Sequence, residues 1–156
     1  MAAREHILMR RAALLLSALL LLAACGRQES TEPIESTPPT EETEMILHID
    51  GTEVPVTWEE NESVQALRAL APLTIEMSMY GGFEQVGSIG SSLPRNDRQT
   101  TTAPGDLVLY GGDQLVVFYG TNQWAYTRLG HVDLTKAELT ALLSAHDVTI
   151  TVEEAP

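Results

Sequence analysis

Cysteine occurs once in the 156 residues, at Cys25, so the chain can form no internal disulfide and this one thiol needs its own explanation. Positive charge is scarce as well. Nine Lys and Arg stand against 22 Asp and Glu, Lys136 is the single lysine, and the formal net charge is −13. Binding of nucleic acid is driven largely by cationic side chains that displace counterions from phosphate, so nucleic acid is excluded as a partner and anionic lipid headgroups are disfavoured. No apolar run approaches the roughly 20 residues that a membrane-spanning helix needs. The longest is Ala12–Ala24, interrupted only by Ser17. There is no internal repeat, Gly-x-Ser-x-Gly elbow, phosphate-binding loop or Asp-rich calcium loop, and no cofactor is implied. His48, His131 and His146 lie far apart and lack the helical i, i+3 or i, i+4 partners of metal ligands, so they read as surface or strand residues and no metal site is expected.

The N-terminus carries a specific signal. Arg4, Arg10 and Arg11 precede the apolar run, which has the length of a secretory signal core and closes as Leu22-Ala23-Ala24-Cys25. This resembles the lipobox of bacterial lipoproteins: residues 1–24 are read as a removable signal peptide and Cys25 as the lipidated residue. Acylation accounts for the lone thiol. Each buried methylene contributes about 0.8 kcal/mol, so two or more chains, palmitate among them, anchor durably where one does not. Removal of residues 1–24 leaves 6 basic and 21 acidic side chains, a net charge of −15.

Residues 25–44 follow as a tether. Gly26–Glu44 holds Pro33, Pro38, Pro39 and six glutamates, with Ile34 its one aliphatic residue, too little apolar surface to offset the entropy of folding. Prolines and like charges keep such a linker extended, at up to about 3 Å per residue. The expected location is the bacterial cell envelope, with the domain held outside the cytoplasm on a lipid anchor.

Residues 45–153 have the size of one domain with one core. Ile46–Asp50 and Val54–Trp58 alternate in polarity about Asp50-Gly51, a hairpin signal. Asn61 is placed to cap a helix bearing Val64, Leu67 and Leu70 that ends before Pro72, which explains Asn61-Glu62-Ser63 better than a glycosylation sequon does. Leu73–Ser78 and Glu84–Ile89 read as strands, the second after a Gly81-Gly82 turn. Gly90–Gly105 reads as a long polar loop of the kind that often carries function. Asp106–Tyr110 and Gln114–Tyr119 form a hairpin about Gly111-Gly112-Asp113, and Trp124–Val132 adds a strand. Thr135-Lys136-Ala137-Glu138 is a capping box opening a helix with Leu139, Leu142 and Leu143, before a last strand at Val148–Val152. The fold expected is mainly β, a closed eight-stranded β-barrel capped by two short α-helices.

Three blocks, Leu70–Met77, Pro104–Tyr110 and Leu115–Gly120, closing with Arg128-Leu129-Gly130, resemble the bacterial cyclophilin-like domain family over nearly all of 45–153. The resemblance implies a cyclophilin-type barrel of eight strands and two helices, in agreement with the strand count. Cyclophilins isomerise peptidyl-proline bonds with an arginine in a Phe-His-Arg segment. The nearest counterpart here, Met79-Tyr80-Gly81-Gly82-Phe83, has no arginine, so the resemblance does not carry that activity over, and no catalytic residue is assigned.

One constellation is a candidate binding site. Trp124, Tyr126 and Arg128 share a strand face by their period of two, and the long loop contributes Arg95 and Arg98. With Tyr80, Phe83 and Tyr119 they are expected to line a groove in which aromatics grip an apolar ligand and an arginine fixes a carbonyl or carboxylate. The alternative is that the aromatics are barrel core and the arginines balance nearby acids. Three function classes follow: a monomeric binding module for a peptide or small ligand, a prolyl isomerase with a relocated arginine that assists exported proteins, and an accessory lipoprotein that acts through a protein partner.

Overall fold

Asp50 and Gly51 adopt φ of 49° and 74° in the computed structural model, the positive values of a tight two-residue hairpin turn, and they join β1 (Met45–Ile49) to β2 (Thr52–Val54). The structure describes residues 44–156. Residues 1–43, and with them the signal-peptide, Cys25 and most of the tether readings, lie outside the described residues.

The elements continue as β3 (Val56–Trp58), α1 (Glu62–Arg68), β4 (Leu73–Glu76), β5 (Ser78–Tyr80), β6 (Glu84–Ser88), β7 (Arg98–Thr101), β8 (Asp106–Tyr110), β9 (Gln114–Phe118), β10 (Gln123–Val132), α2 (Lys136–Leu143) and β11 (Thr149–Glu154). Both helix starts form as expected. The Asn61 side chain accepts a bond from the Val64 N–H, and Thr135 and Glu138 complete a capping box.

The domain is mainly β with two helices, and its strands pair antiparallel in two sheets, one ordered β2-β1-β11-β4 and the other β3-β10-β8-β9-β6-β5, with β7 on β10. Eleven strands are described where about eight were expected, for three physical reasons. Pro55 has no N–H to give to a ladder, so Val54–Trp58 divides into β2 and β3, one in each sheet. Met77 donates its N–H to the Val148 carbonyl at 2.9 Å, and there Leu73–Tyr80 passes from β4 in one sheet to β5 in the other. The third strand lies inside Gly90–Gly105, read from the sequence as loop throughout. There β7 pairs with residues 123–126 of β10, the stretch that the β8 pairing does not reach.

The main core draws Leu47, Ile49, Ile75, Leu107, Leu109, Leu115, Val117, Ile150 and Val152 from the strands, and the helices add Val64, Leu67, Leu139 and Leu143. The alternate residues of the β8–β9 hairpin do not face water either. Val108, Val116 and Phe118 pack with Tyr126, Phe83 and Val86 in a second, smaller cluster. The larger sheet is therefore apolar on both faces, and the candidate site stands on the second of them.

Candidate functional site

The side chains of β6 are sorted by strand period. Gln85 turns inward, where its Nε2 donates to the carbonyls of Leu143 and His146 at 2.7 and 2.8 Å, and Gly87 passes close over Ile75 and Met77. Glu84 and Val86 point the other way, beside Val116, Tyr126 and Phe118. Glu84 is only 6% exposed, and its Oε2 has no hydrogen-bond partner among the described residues. Burial pushes its carboxyl pKa up from 4.5 to about 7.

Above this carboxyl opens a pocket of about 480 Å³ lined by Tyr80, Val86, Tyr110, Gln114, Val116, Asn122, Trp124 and Tyr126. Four large hydrophobic side chains stand exposed among the described residues, and three of them, Tyr80, Tyr110 and Trp124, line this pocket. Tyr126 forms part of its wall, edge-on to Tyr110 at 6.0 Å between ring centroids. Its hydroxyl accepts a bond from Asn122 Nδ2 at 3.0 Å, and burial, then the neighbouring Glu84 charge, raise its phenol above the ordinary value. No Lys, Arg or His is among the lining residues.

The arginines belong to a different groove. Arg95, Arg98 and Arg128 line a second depression of about 550 Å³ with Asn61, Ser63, Pro94 and Thr127, and Tyr126 stands between the two. Arg128 is held by Asp106, through Nη1 and Nη2 at 3.3 and 3.0 Å, and by Glu59 at 3.3 Å. Burial alone would raise the Asp106 carboxyl. The Ala103 N–H, His131 and Arg128 outweigh it and hold the pKa below the usual carboxylate value. Arg95 lies 3.7 Å from Asp97, whose other oxygen accepts a 2.7 Å bond from Thr127, and this contact fastens the long loop to β10. Arg98 is exposed on β7.

The eight expected ligand-binding residues are therefore not brought together. Tyr80, Trp124 and Tyr126 meet at the aromatic pocket, and Arg95, Arg98 and Arg128 lie in the neighbouring groove. Phe83 stacks on Phe118 at 6.5 Å beneath the site, and Tyr119, 6% exposed, packs into the main core. The sequence reading missed Glu84, Tyr110 and Asn122. The signal for Glu84 was available: it is the one charged residue in the strand Glu84–Ser88 and shares a period-two face with Val86. The three histidines of the described residues scatter onto carboxylates, His131 on Asp106, His146 on Asp50 and His48 on Glu153, and no group of three metal-ligating side chains occurs among those residues.

A model of the cyclophilin-like family matches residues 47–153. The chain belongs to the cyclophilin-like family. Two solved structures share the fold of this cyclophilin-like domain. The hypothetical protein AF2241 from Archaeoglobus fulgidus is similar at 16% identity and a TM-score of 0.53, over 71% of this chain and 93% of its own. McbB in complex with tryptophan is similar at 14% identity and a TM-score of 0.52, over 71% of this chain and 44% of its own. No curated protein matches the chain.

Proposed function

We propose that this cyclophilin-like protein is a binding module, lipid-anchored through Cys25 outside the cytoplasm, that takes a small ligand or short peptide segment in the pocket over Glu84. The observation that carries the reading is Glu84 itself: a carboxyl buried in an apolar wall, with a free oxygen, beneath an open ring of aromatic side chains. Burying an unpartnered acid costs stability, and such a cost is commonly tolerated where the group meets a ligand. Exposed aromatics gathered around a concavity support the same reading. The two runs shared between the sheets support a closed eight-stranded barrel, with Thr52–Trp58 and Leu73–Tyr80 each counted as one strand and β7 lying off the ring. Such closure would give the site a rigid wall.

Titration of the full chain with tryptophan, the molecule named with McbB, and with an alanine–proline dipeptide tests the site. Saturable NMR shifts are expected at the Trp124 indole and the Glu84 and Tyr110 amides for at least one probe, with loss of the response in Trp124→Ala. Saturable shifts confined to the Arg95–Arg98–Arg128 groove would reassign the site.

A further inference from the structure

We propose that the Glu84 pocket selects a small primary amine, with its ammonium group donating to the Glu84 carboxylate and its apolar body lying among Tyr80, Tyr110, Trp124 and Tyr126. This rests on the binding-module reading and gives it a ligand class.

The charge pattern decides the class. Glu84 is the one acid among the lining residues and no cation accompanies it, so a carboxylate or phosphate ligand would meet repulsion with no positive charge to offset it. A neutral hydroxyl or amide can donate one hydrogen bond to the carboxylate but leaves its charge uncompensated in an apolar wall. An ammonium supplies the missing donor and the missing charge together, and charge-assisted bonds are roughly twice as strong as neutral ones. The aromatic ring adds to this, because cations are attracted to π faces by about 0.5–2 kcal/mol. The net charge of −13 favours approach of cations to the molecule as a whole.

The groups that face Glu84 from neighbouring elements are the phenols of Tyr80 on β5, Tyr110 on β8 and Tyr126 on β10, while β9 offers only the uncharged Gln114, Val116 and Phe118. Amine binding requires ionised Glu84, so affinity rises with pH through about 7 and levels off above it, because below that value the ligand must displace a proton.

Calorimetric titration of the full chain with benzylamine, benzyl alcohol and benzoate tests the inference, since the three share a ring and differ in charge. Benzylamine is expected to bind best and benzoate least. Its affinity is expected to fall about tenfold in Glu84→Gln, the scale of a lost charged hydrogen bond. Trp124→Ala, a change at an exposed side chain, is expected to weaken benzylamine as well, which keeps the test decisive if the Glu84 variant fails to fold. Benzyl alcohol binding as tightly as benzylamine, unaffected by Glu84→Gln, would overturn the amine assignment and leave the binding reading standing. Absence of heat from all three also overturns the amine assignment, and if tryptophan and the dipeptide fail too, the binding reading falls with it.

Discussion

Glu84 ionises near 4.5 in an unfolded chain and near 7 in the fold, so between those values the unfolded chain gives up a proton that the folded chain keeps. Stability therefore declines as pH rises through this window and levels off above about 7. Glutamine at the same place has no such dependence. The expected outcome is that Glu84→Gln melts about 5 °C above the unmodified protein at pH 8, roughly 1 kcal/mol after allowance for solvent screening, and that the gap closes by pH 4. Thermal denaturation followed by circular dichroism at the two pH values checks it, and an equal gap at both would mean that burial of the charge is not the cause. Period-two alternation was enough to place Trp124 and Tyr126 on one face of β10. It was not enough to separate Arg128 from them in function, because its pairing with Asp106 and Glu59 joins residues 22 and 69 positions away.

β6 crosses β4 at Gly87, where an added Cβ would stand 2.5 Å from Met77 Sδ and 2.6 Å from the Glu76 carbonyl oxygen. The carbonyl belongs to the backbone and cannot swing aside, so Gly87→Ala is expected to cost about 1–3 kcal/mol by overpacking. A lower urea midpoint with an unchanged slope is the expected signature. Hairpins and caps are the elements most legible in sequence, because Asp50-Gly51 and Thr135–Glu138 act through bonds to near neighbours. β7 was hidden for the opposite reason. Arg98–Thr101 is polar and exposed on nearly every residue, so its strand state comes from the partner it finds on β10 rather than from its own pattern.

For the whole molecule, the proposed lipid anchor makes the sharpest expectation: Cys25→Ser leaves an unprocessed precursor, since on that proposal the thiol would be the acylation site and processing would follow acylation. Labelled fatty acid incorporated by the Cys25→Ser variant would contradict it. Strand spacing, turn residues and helix caps determined by themselves that the chain is mainly β with two capped helices, because alternation, turns and caps are local chemistry. Which aromatics share a pocket and which carboxyl lies beneath them was decided by tertiary structure alone. Glu84, Tyr110 and Trp124 are separated by 26 and 14 residues, and they meet only because β6, β9, β8 and β10 lie side by side in one sheet and turn these side chains to its second apolar face.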